Sequence, residues 1–438
     1  MSQRMMAHES EAAARERAPG PVVGEYHAPR AATARRIVYL WDADYPWDVR
    51  TEKICATLTS AGHDVHIVAR NRARRPLIER MPEGTVHRMR PWLWAGRRFD
   101  VALGFPAFFN PRWRSTLRRV LRSVRPDVLI ARDLPLAPAA IGVARRYGVP
   151  VVLDMAENYP AMMQMIFDAA RHRPTDYLVR NPRAVAAVER HALSRVERVL
   201  VVIEEMEQRL RTLGVGAERI DIVSNTPPVA RAGGAAAPRA RGGGQPLAVV
   251  YLGLLEVARG IMELVHAAAL LRDRAVPVRF LIIGAGRDRE LFTTRAAELG
   301  LGESVLSFPG FVPRERALEL VAGADVGVLP HHANDMWNTT IPNKLFDYMA
   351  AGLPVVTSSA VPCARIVRET EAGMVFASGN VTELADAVQR MMDPAVRERC
   401  GTNGRRAVRD EYNWERDTRV LLRSVERAAA ARTRAGAG

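Results

Sequence analysis

The chain has 438 residues, 48% of them hydrophobic, a length that supports two domains with full cores. No run of about 18 apolar residues occurs, which excludes a bilayer-spanning helix by hydropathy, and Cys55, Cys363 and Cys400 fit neither disulfide nor zinc spacing, the pattern of a reducing, cytoplasmic compartment. The formal charge of +15 is carried mostly by arginine spread along the whole sequence, so an anionic partner is expected, but not nucleic acid bound on a dedicated stripe.

Residues 1–35 begin with an Arg/Glu/Ala-rich stretch that has no apolar core of a signal peptide and reads as a disordered tail. From Arg36 strands and helices alternate. "RIVYL" is a strand, "DVRTEKICATLTSAG" a helix stopped by Gly62, and "VHIVA", "DVLIA", "VPVVLD" and "RVLVVI" are further strands. Helical patterns fill 136–147, 183–194 and 204–213, and "RIDIVSN" closes a first domain at 36–226. Such apolar strands between amphipathic helices predict a parallel sheet covered on both faces. Residues 227–246 are Pro/Gly/Ala-rich and aperiodic, a linker. The rhythm restarts over 247–410 with "LAVVYLG", "VRFLIIGAG", "VLSFPG", "ADVGVLP" and "LPVVTS". Residues 411–438 form a last helix that folds back on the first domain, followed by a tail. The expected fold is α/β: two Rossmann-like, doubly wound domains facing a cleft, with ligand at strand C-termini.

The most informative segment is "NTTIPNKLFDYMAAGLPVVTS", from Asn338 to Ser358. Thr339 and Thr340 suit an N-cap, Pro342 a first turn, and Gly352 with Pro354 a stop. Lys344 and Asp347 are three apart and share one helix face, while Leu345, Tyr348 and Met349 point inward. They form either a surface ion pair or an anion site with a carboxylate placed to accept hydrogen bonds from a diol. "GAG" at Gly284–Gly286 is either a tight turn or a phosphate approach. Arg289 stands where a dinucleotide fingerprint needs its third glycine, which disfavours NAD. "DAD" at Asp42–Asp44 reads as an ordinary loop after the first strand. His63 and His66 are poorly placed for a metal. His331 and His332 end a strand, where either reaches a ligand, caps a helix or is solvated.

The segment "NKLFDYMAAGLPVVTS", preceded by "ADVGVLP" and "VYLGLLEVARGIMELVHAAALL", resembles the second domain of the GT-B-fold retaining glycosyltransferases of family GT4. "YPWDVRTEKICATLTSAGHDVHIVA", "NPRWRSTLRRVLRSVRPDVLIARDLPLA" and "VPVVLDMAENYPAM" are similar to the acceptor-side domain of members that build bacterial surface polysaccharide. The resemblance covers roughly 36–420 and implies transfer of a sugar, with retention, from a nucleotide diphosphate-sugar donor to a glycan or lipid-linked acceptor. It implies no metal and no cofactor, the nucleotide sugar being a substrate. Asp347 falls on the family carboxylate that holds the donor ribose. Thr339 stands in place of the family's other glutamate, Leu254 in place of one basic residue, and Ala156 in place of a first-domain histidine. The diphosphate then falls to Arg259, Lys344 and the amides near Ile341–Asn343, and base contacts to the backbone near Gly310–Val312. The implied catalytic set is Arg259, Lys344 and Glu157. The implied donor set is Asp347, Thr339, Thr340, Ile341, Asn343, Gly253, Gly284, Gly286, Phe311 and Val312. Asp48, Arg50 and Asp133 are placed on the acceptor side. A nucleotide-sugar 2-epimerase of the same architecture, a non-catalytic nucleotide-sugar binder and a nucleic-acid binder are the rival readings.

Residues 90–127 combine Trp and Phe with many arginines. From Trp113, apolar Leu117, Val120, Leu121 and Val124 recur at helical spacing among Arg112, Arg114, Arg118, Arg119, Arg122 and Arg125. The stretch from Trp92 to Arg125 is expected to lie on an anionic membrane surface, giving a peripheral protein on the inner face of the cell membrane. A solvated helix over a core is the alternative.

Overall fold

The computed structural model describes residues 26, 28–46, 48–91, 108, 110–168, 181–233 and 245–435. The chain divides into two compact units: one runs through Ser224 and resumes at Glu415, the other spans Asn225–Trp414.

The first unit is built on eight strands: β1 (Arg36–Asp44), β2 (Asp64–Arg70), β3 (Ile78–Met81), β4 (Gly84–Arg88), β5 (Val128–Arg132), β6 (Val151–Met155), β7 (Arg198–Val201) and β8 (Ile220–Ile222). Their order is β3-β4-β2-β1-β5-β6-β7-β8, parallel except for the β3–β4 hairpin at one edge. Every residue of β5, β6 and β7 is buried, as continuous apolar runs in a covered parallel sheet must be. The segment from Asp42 to Asp44 is the end of β1 rather than a loop. Arg70 binds the Asp42 carboxylate at 2.6 Å, and the Arg72 amide donates to Asp44 at 2.8 Å, so the end of β2 and the chain just beyond it hold this strand end across the register shift between Leu40 and Asp44.

The helix Trp414–Ala435 serves this unit: Arg432 donates to the Pro126 carbonyl at 2.6 Å, and Glu426 pairs with Arg35 at 3.1 Å. On the helix Pro111–Val124, Trp113, Leu117, Val120, Leu121 and Val124 are all buried. The apolar stripe is therefore core, which corrects the expectation that it meets lipid; only its arginine side faces out. Residues 92–107 and 109, the apolar loop expected to dock with it, lie outside the described residues, as do residues 1–25 of the expected tail.

The second unit holds β9 (Leu247–Leu252), β10 (Val278–Ile283), β11 (Leu306–Gly310), β12 (Val326–Leu329), β13 (Val355–Ser358) and β14 (Gly373–Phe376), all parallel, in the order β11-β10-β9-β12-β13-β14. The helices Ile261–Asp273 and Val381–Arg390 bury Leu264, Val265, Ala268, Leu384 and Val388 against Val249, Tyr251 and Phe280 of the sheet. The helix Asn343–Ala351 sits on the strands through Tyr348. That hydroxyl accepts the Leu252 amide at 2.9 Å, and a Cβ at Gly327 would strike the Tyr348 ring.

Two local expectations change. The helix is capped at Pro342, not by Thr339 or Thr340, because the Thr339 hydroxyl donates backward to the Asp335 carbonyl at 2.7 Å. Part of the expected linker is ordered: Val229–Gly233 is a helix packed on Asn343–Ala351 and on Pro394–Asp410.

Candidate functional site

In an open doubly wound sheet, ligands bind beyond the strand C-termini where the strand order reverses. That point lies between β9 and β12 in the second unit and between β1 and β5 in the first.

Beyond β9 the chain turns at Gly253, runs through exposed Leu254 to Glu256, and makes a short 3-10 turn, Val257–Arg259, before Gly260. Gly260 has φ 73°, and a Cβ there would collide with the Pro330 carbonyl at the end of β12. The two loops therefore touch across the switch point. Gly284 and Gly286 have a similar reason to be glycine: Cβ atoms there would meet the carbonyls of Gly253 and Leu255. The "GAG" turn is thus required by loop-to-loop contact, whatever else it approaches. Phe311 and Val312, half-buried, follow Gly310 at the end of β11, whose carbonyl accepts the Gly284 amide at 2.9 Å.

Arg259 lies with its guanidinium 5.1 Å from the Trp337 ring centroid and 3.5 Å from Glu256. The helix Asn343–Ala351 buries Leu345, Phe346, Tyr348 and Met349 and leaves Asn343, Lys344 and Asp347 half-buried on one side, the shared face expected from their spacing. Thr340 and Ile341 are buried before it. Asp347 lies 3.7 Å from Arg231 of the ordered linker helix, a neighbour that sequence spacing had no means to reveal.

His331 follows β12 and is neither solvated nor a cap. It is 3% exposed, and its ring meets Trp337 edge-on at 4.2 Å. Burial, then the charges of Arg259 and Lys344, hold its pKa well below the usual imidazole value. Neither ring nitrogen has a hydrogen-bond partner among the described residues. His332 instead pairs with Glu263 at 2.7 Å, a contact that raises its pKa.

The first unit's switch point carries a different set. Asp154, at the end of β6, is fully buried and takes three short contacts: Arg50 Nη2 at 2.6 Å, Arg50 Nε at 3.0 Å and the Tyr39 hydroxyl at 2.7 Å. Burial works against that carboxylate, but Arg50 and Arg132 outweigh it and hold its pKa below the ordinary value. Arg50 also donates to the Val223 carbonyl at 2.8 Å and is 2% exposed. It is an internal clamp joining β6 to the chain after β8, which corrects its placement as an acceptor contact. Asp48 caps the helix Val49–Ser60 by accepting from the Thr51 amide at 2.7 Å.

Asp133 sits after β5 with φ 61° and ψ 164°, a backbone conformation few non-glycine residues adopt. Its amide donates to the Asp154 carbonyl at 2.9 Å, and its carboxylate accepts from Ala156 N at 3.2 Å and lies 3.3 Å from Arg132. Burial first, then Asp154 and Asp48, push its pKa up to about 6 against the opposing pull of Arg132. Glu157 is half-buried in the turn after β6, beside the buried Ala156. The structure thus groups Asp48, Asp133 and Glu157 around the ends of β5 and β6, and Arg259, Lys344 and Asp347 around the ends of β9 and β12.

Residues 48–226 match the glycosyl transferase 4-like domain, and residues 246–394 match the glycosyl transferases group 1 domain. The glycogen synthase of Mycobacterium tuberculosis is 26% identical over 377 residues, covering 83% of this chain and 86% of the relative. The 2-deoxystreptamine glucosyltransferase of Streptomyces kanamyceticus is 26% identical over 373 residues, covering 82% and 88%. Among solved structures, sucrose-phosphate synthase from Thermosynechococcus elongatus has a TM-score of 0.71 at 18% identity, covering 91% of this chain and all of that one. HepE from Anabaena, in complex with UDP, has a TM-score of 0.65 at 14% identity, covering 89% and 99%. These structures share the GT-B fold of two Rossmann-like domains. With both of its halves matched, the chain belongs to the group 1 (GT4) glycosyltransferases and is an enzyme of glycosyl transfer.

Proposed function

We propose that the protein moves a sugar, with retention, from a nucleotide diphosphate-sugar to a glycan or lipid-linked acceptor in surface polysaccharide or glycolipid synthesis. The observation that supports this reading is that Arg259 after β9 and Lys344 after β12 both bring positive charge to His331 at the switch point, with Asp347 one helical turn from Lys344. A departing nucleoside diphosphate gathers negative charge, and preorganised cations stabilise it more in the transition state than in the ground state. Asp347 accepts the ribose hydroxyls, with Arg231 beside it to hold the carboxylate in place. The nucleotide sugar is consumed as substrate; the reading assigns no cofactor and no metal. The UDP held by HepE supports a nucleotide donor of this class.

The test pairs binding with turnover. A thermal-shift panel of nucleoside diphosphates identifies the donor base, since only a bound species raises the melting point. With that donor, Lys344→Met and Arg259→Met are expected to lower kcat by about 100-fold while weakening donor binding far less. Wild-type turnover in both variants overturns the assignment.

We place the enzyme on the cytoplasmic face of the membrane, attached by charge. The support is the outward arginine side of the helix Pro111–Val124, which carries no acidic residue. Among the described residues no helix is long and apolar enough to cross a bilayer. Each arginine near an anionic surface is worth about 1 kcal/mol, and salt screens it. Vesicle co-sedimentation at low salt is expected to lose the protein when Arg118, Arg119 and Arg122 become Glu; equal sedimentation overturns the attachment.

A further inference from the structure

A buried polar group without a partner is costly, and natural structures hold few of them. Among the described residues of the second unit, two stand side by side: His331, with both ring nitrogens unpartnered, and Trp337, whose indole N–H is unpartnered at 6% exposure. They sit at the sheet's switch point. Pro330 brings His331 off the end of β12 against the Gly260 turn, and the face of Trp337 carries Arg259. Around the imidazole, Arg259 Nε and Glu263 Oε2 also lack a hydrogen-bond partner among the described residues, while the backbone carbonyls of the loop are satisfied. Ser358 donates to the His331 carbonyl, Thr357 to the Leu329 carbonyl at 3.3 Å, and His332 is taken by Glu263. The charges reaching His331 are the cations Arg259 and Lys344 and the neighbouring His332, while Glu256 and Glu263 are engaged with Arg259 and His332.

A ring kept neutral among cations is suited to one role in particular. It can donate an N–H to an anion that those cations attract, without adding a charge that must be buried when the anion is absent. We propose that His331 is a further donor-binding residue, its imidazole donating a hydrogen bond to an oxygen of the donor diphosphate seated on Arg259 and Lys344. This rests on the donor reading above and adds to it a residue that neither the motif nor the family pattern names. In the family resemblance Asp347 addresses the ribose and Arg259 and Lys344 the phosphates, whereas His331 reaches the same anion from the end of β12.

The test separates the imidazole from the packing it provides. His331→Phe keeps a flat ring against Trp337 and removes both nitrogens. His331→Asn and His331→Gln return an N–H near the positions of Nδ1 and Nε2. Calorimetry with uridine, guanosine, adenosine and cytidine diphosphates identifies the tightest, which is then compared with its nucleoside. His331→Phe is expected to weaken the diphosphate about tenfold and leave the nucleoside unchanged, with Asn or Gln recovering most of the loss. In wild-type protein carrying 15N-histidine, one His331 ring signal is expected to shift on adding the diphosphate and to stay put on adding the nucleoside. Equal loss of both ligands, or an unshifted ring signal, overturns the inference while leaving the donor reading intact. If wild type binds none of the four diphosphates, the donor reading fails and the inference with it.

Discussion

The two switch points are built from the same residue types and hold their charges in opposite ways. In the first unit, Arg50 and Asp154 meet at 2.6 Å with almost no exposure, and the Tyr39 hydroxyl completes the carboxylate. In the second, Arg259 stands 3.5 Å from Glu256, Arg231 3.7 Å from Asp347 and Arg287 3.9 Å from Glu256, all of them partly exposed. A tight buried pair cannot give up a partner without leaving a bare charge in the core. A loose, half-exposed pair is worth little in water and can trade its partner for a ligand at small cost. The same Arg–carboxylate chemistry is therefore architecture in one sheet and, under the proposed function, a binding surface in the other.

The largest effect that would break this contrast is on folding. Arg50→Met is expected to destabilise the first unit by about 3–5 kcal/mol, because the buried Asp154 loses its closest cation and keeps only Arg132 at 3.5 Å and the Tyr39 hydroxyl. Changing both at once, Arg50→Met with Asp154→Leu, should be much milder. Urea denaturation followed by circular dichroism checks both. A single variant that unfolds at the wild-type midpoint would show that Arg50 is not a clamp.

Next comes the ligand side. Asp347→Asn keeps the shape and loses the charge, so donor affinity is expected to fall by roughly 1.5–3 kcal/mol, the range for hydrogen bonds to charged groups. Stability should barely change, since its only described ion-pair contact is 3.7 Å long. Calorimetry showing unchanged donor affinity in a folded variant would remove Asp347 from the site.

Much of this was legible in the sequence, for physical reasons. Fully buried parallel strands read as apolar runs, so the alternation that builds both sheets was visible, and a three-residue spacing put Lys344 and Asp347 on one face. The hairpin β3–β4 was not visible, because its short strands are half-exposed and carry no clean alternation. Neither was β14, four residues long directly behind a helix. Whether a charge is clamped or open depends on contacts across more than 100 residues, as between Arg50 and Asp154 or Arg231 and Asp347. Arg50 therefore looked like a ligand contact from its motif and proved internal. Arg231 was lost in an aperiodic stretch that packing, not propensity, turns into a helix.

Asp133 tests the comparison through pH. Its carboxyl is raised to about 6 in the folded chain against an ordinary value of 3.8. A carboxyl with a raised pKa opposes folding once it ionises: the penalty is absent below about pH 4, grows between 4 and 6, and is full above 6. A rise of that size corresponds to roughly 3 kcal/mol with the attraction of Arg132 already counted, and setting an amide NH2 group against the Arg132 guanidinium takes part of this back. Asp133→Asn is therefore expected to stabilise the first unit on the order of 1–2 kcal/mol at pH 7 and to leave it nearly unchanged at pH 4. Denaturation at the two pH values reads the difference. A gain that is equal at both would show that ionisation of the Asp133 carboxyl is not its source.

The smallest expected effect concerns Thr339, which takes the place of a carboxylate in the family pattern. Its hydroxyl donates to the Asp335 carbonyl at 2.7 Å and lies 3.3 Å from the Met336 carbonyl, so it closes the turn before Pro342. Thr339→Val keeps the branched shape and removes that hydrogen bond, which is expected to cost about 0.5–1.5 kcal/mol of stability. Donor affinity should move by less than that, because the proposed function assigns the anion to Arg259 and Lys344 and the ribose to Asp347. Calorimetry alongside denaturation separates the two quantities. If donor affinity falls tenfold while stability holds, Thr339 touches the donor sugar, and the second switch point recognises its ligand through a neutral hydroxyl as well as through its loosely held charges.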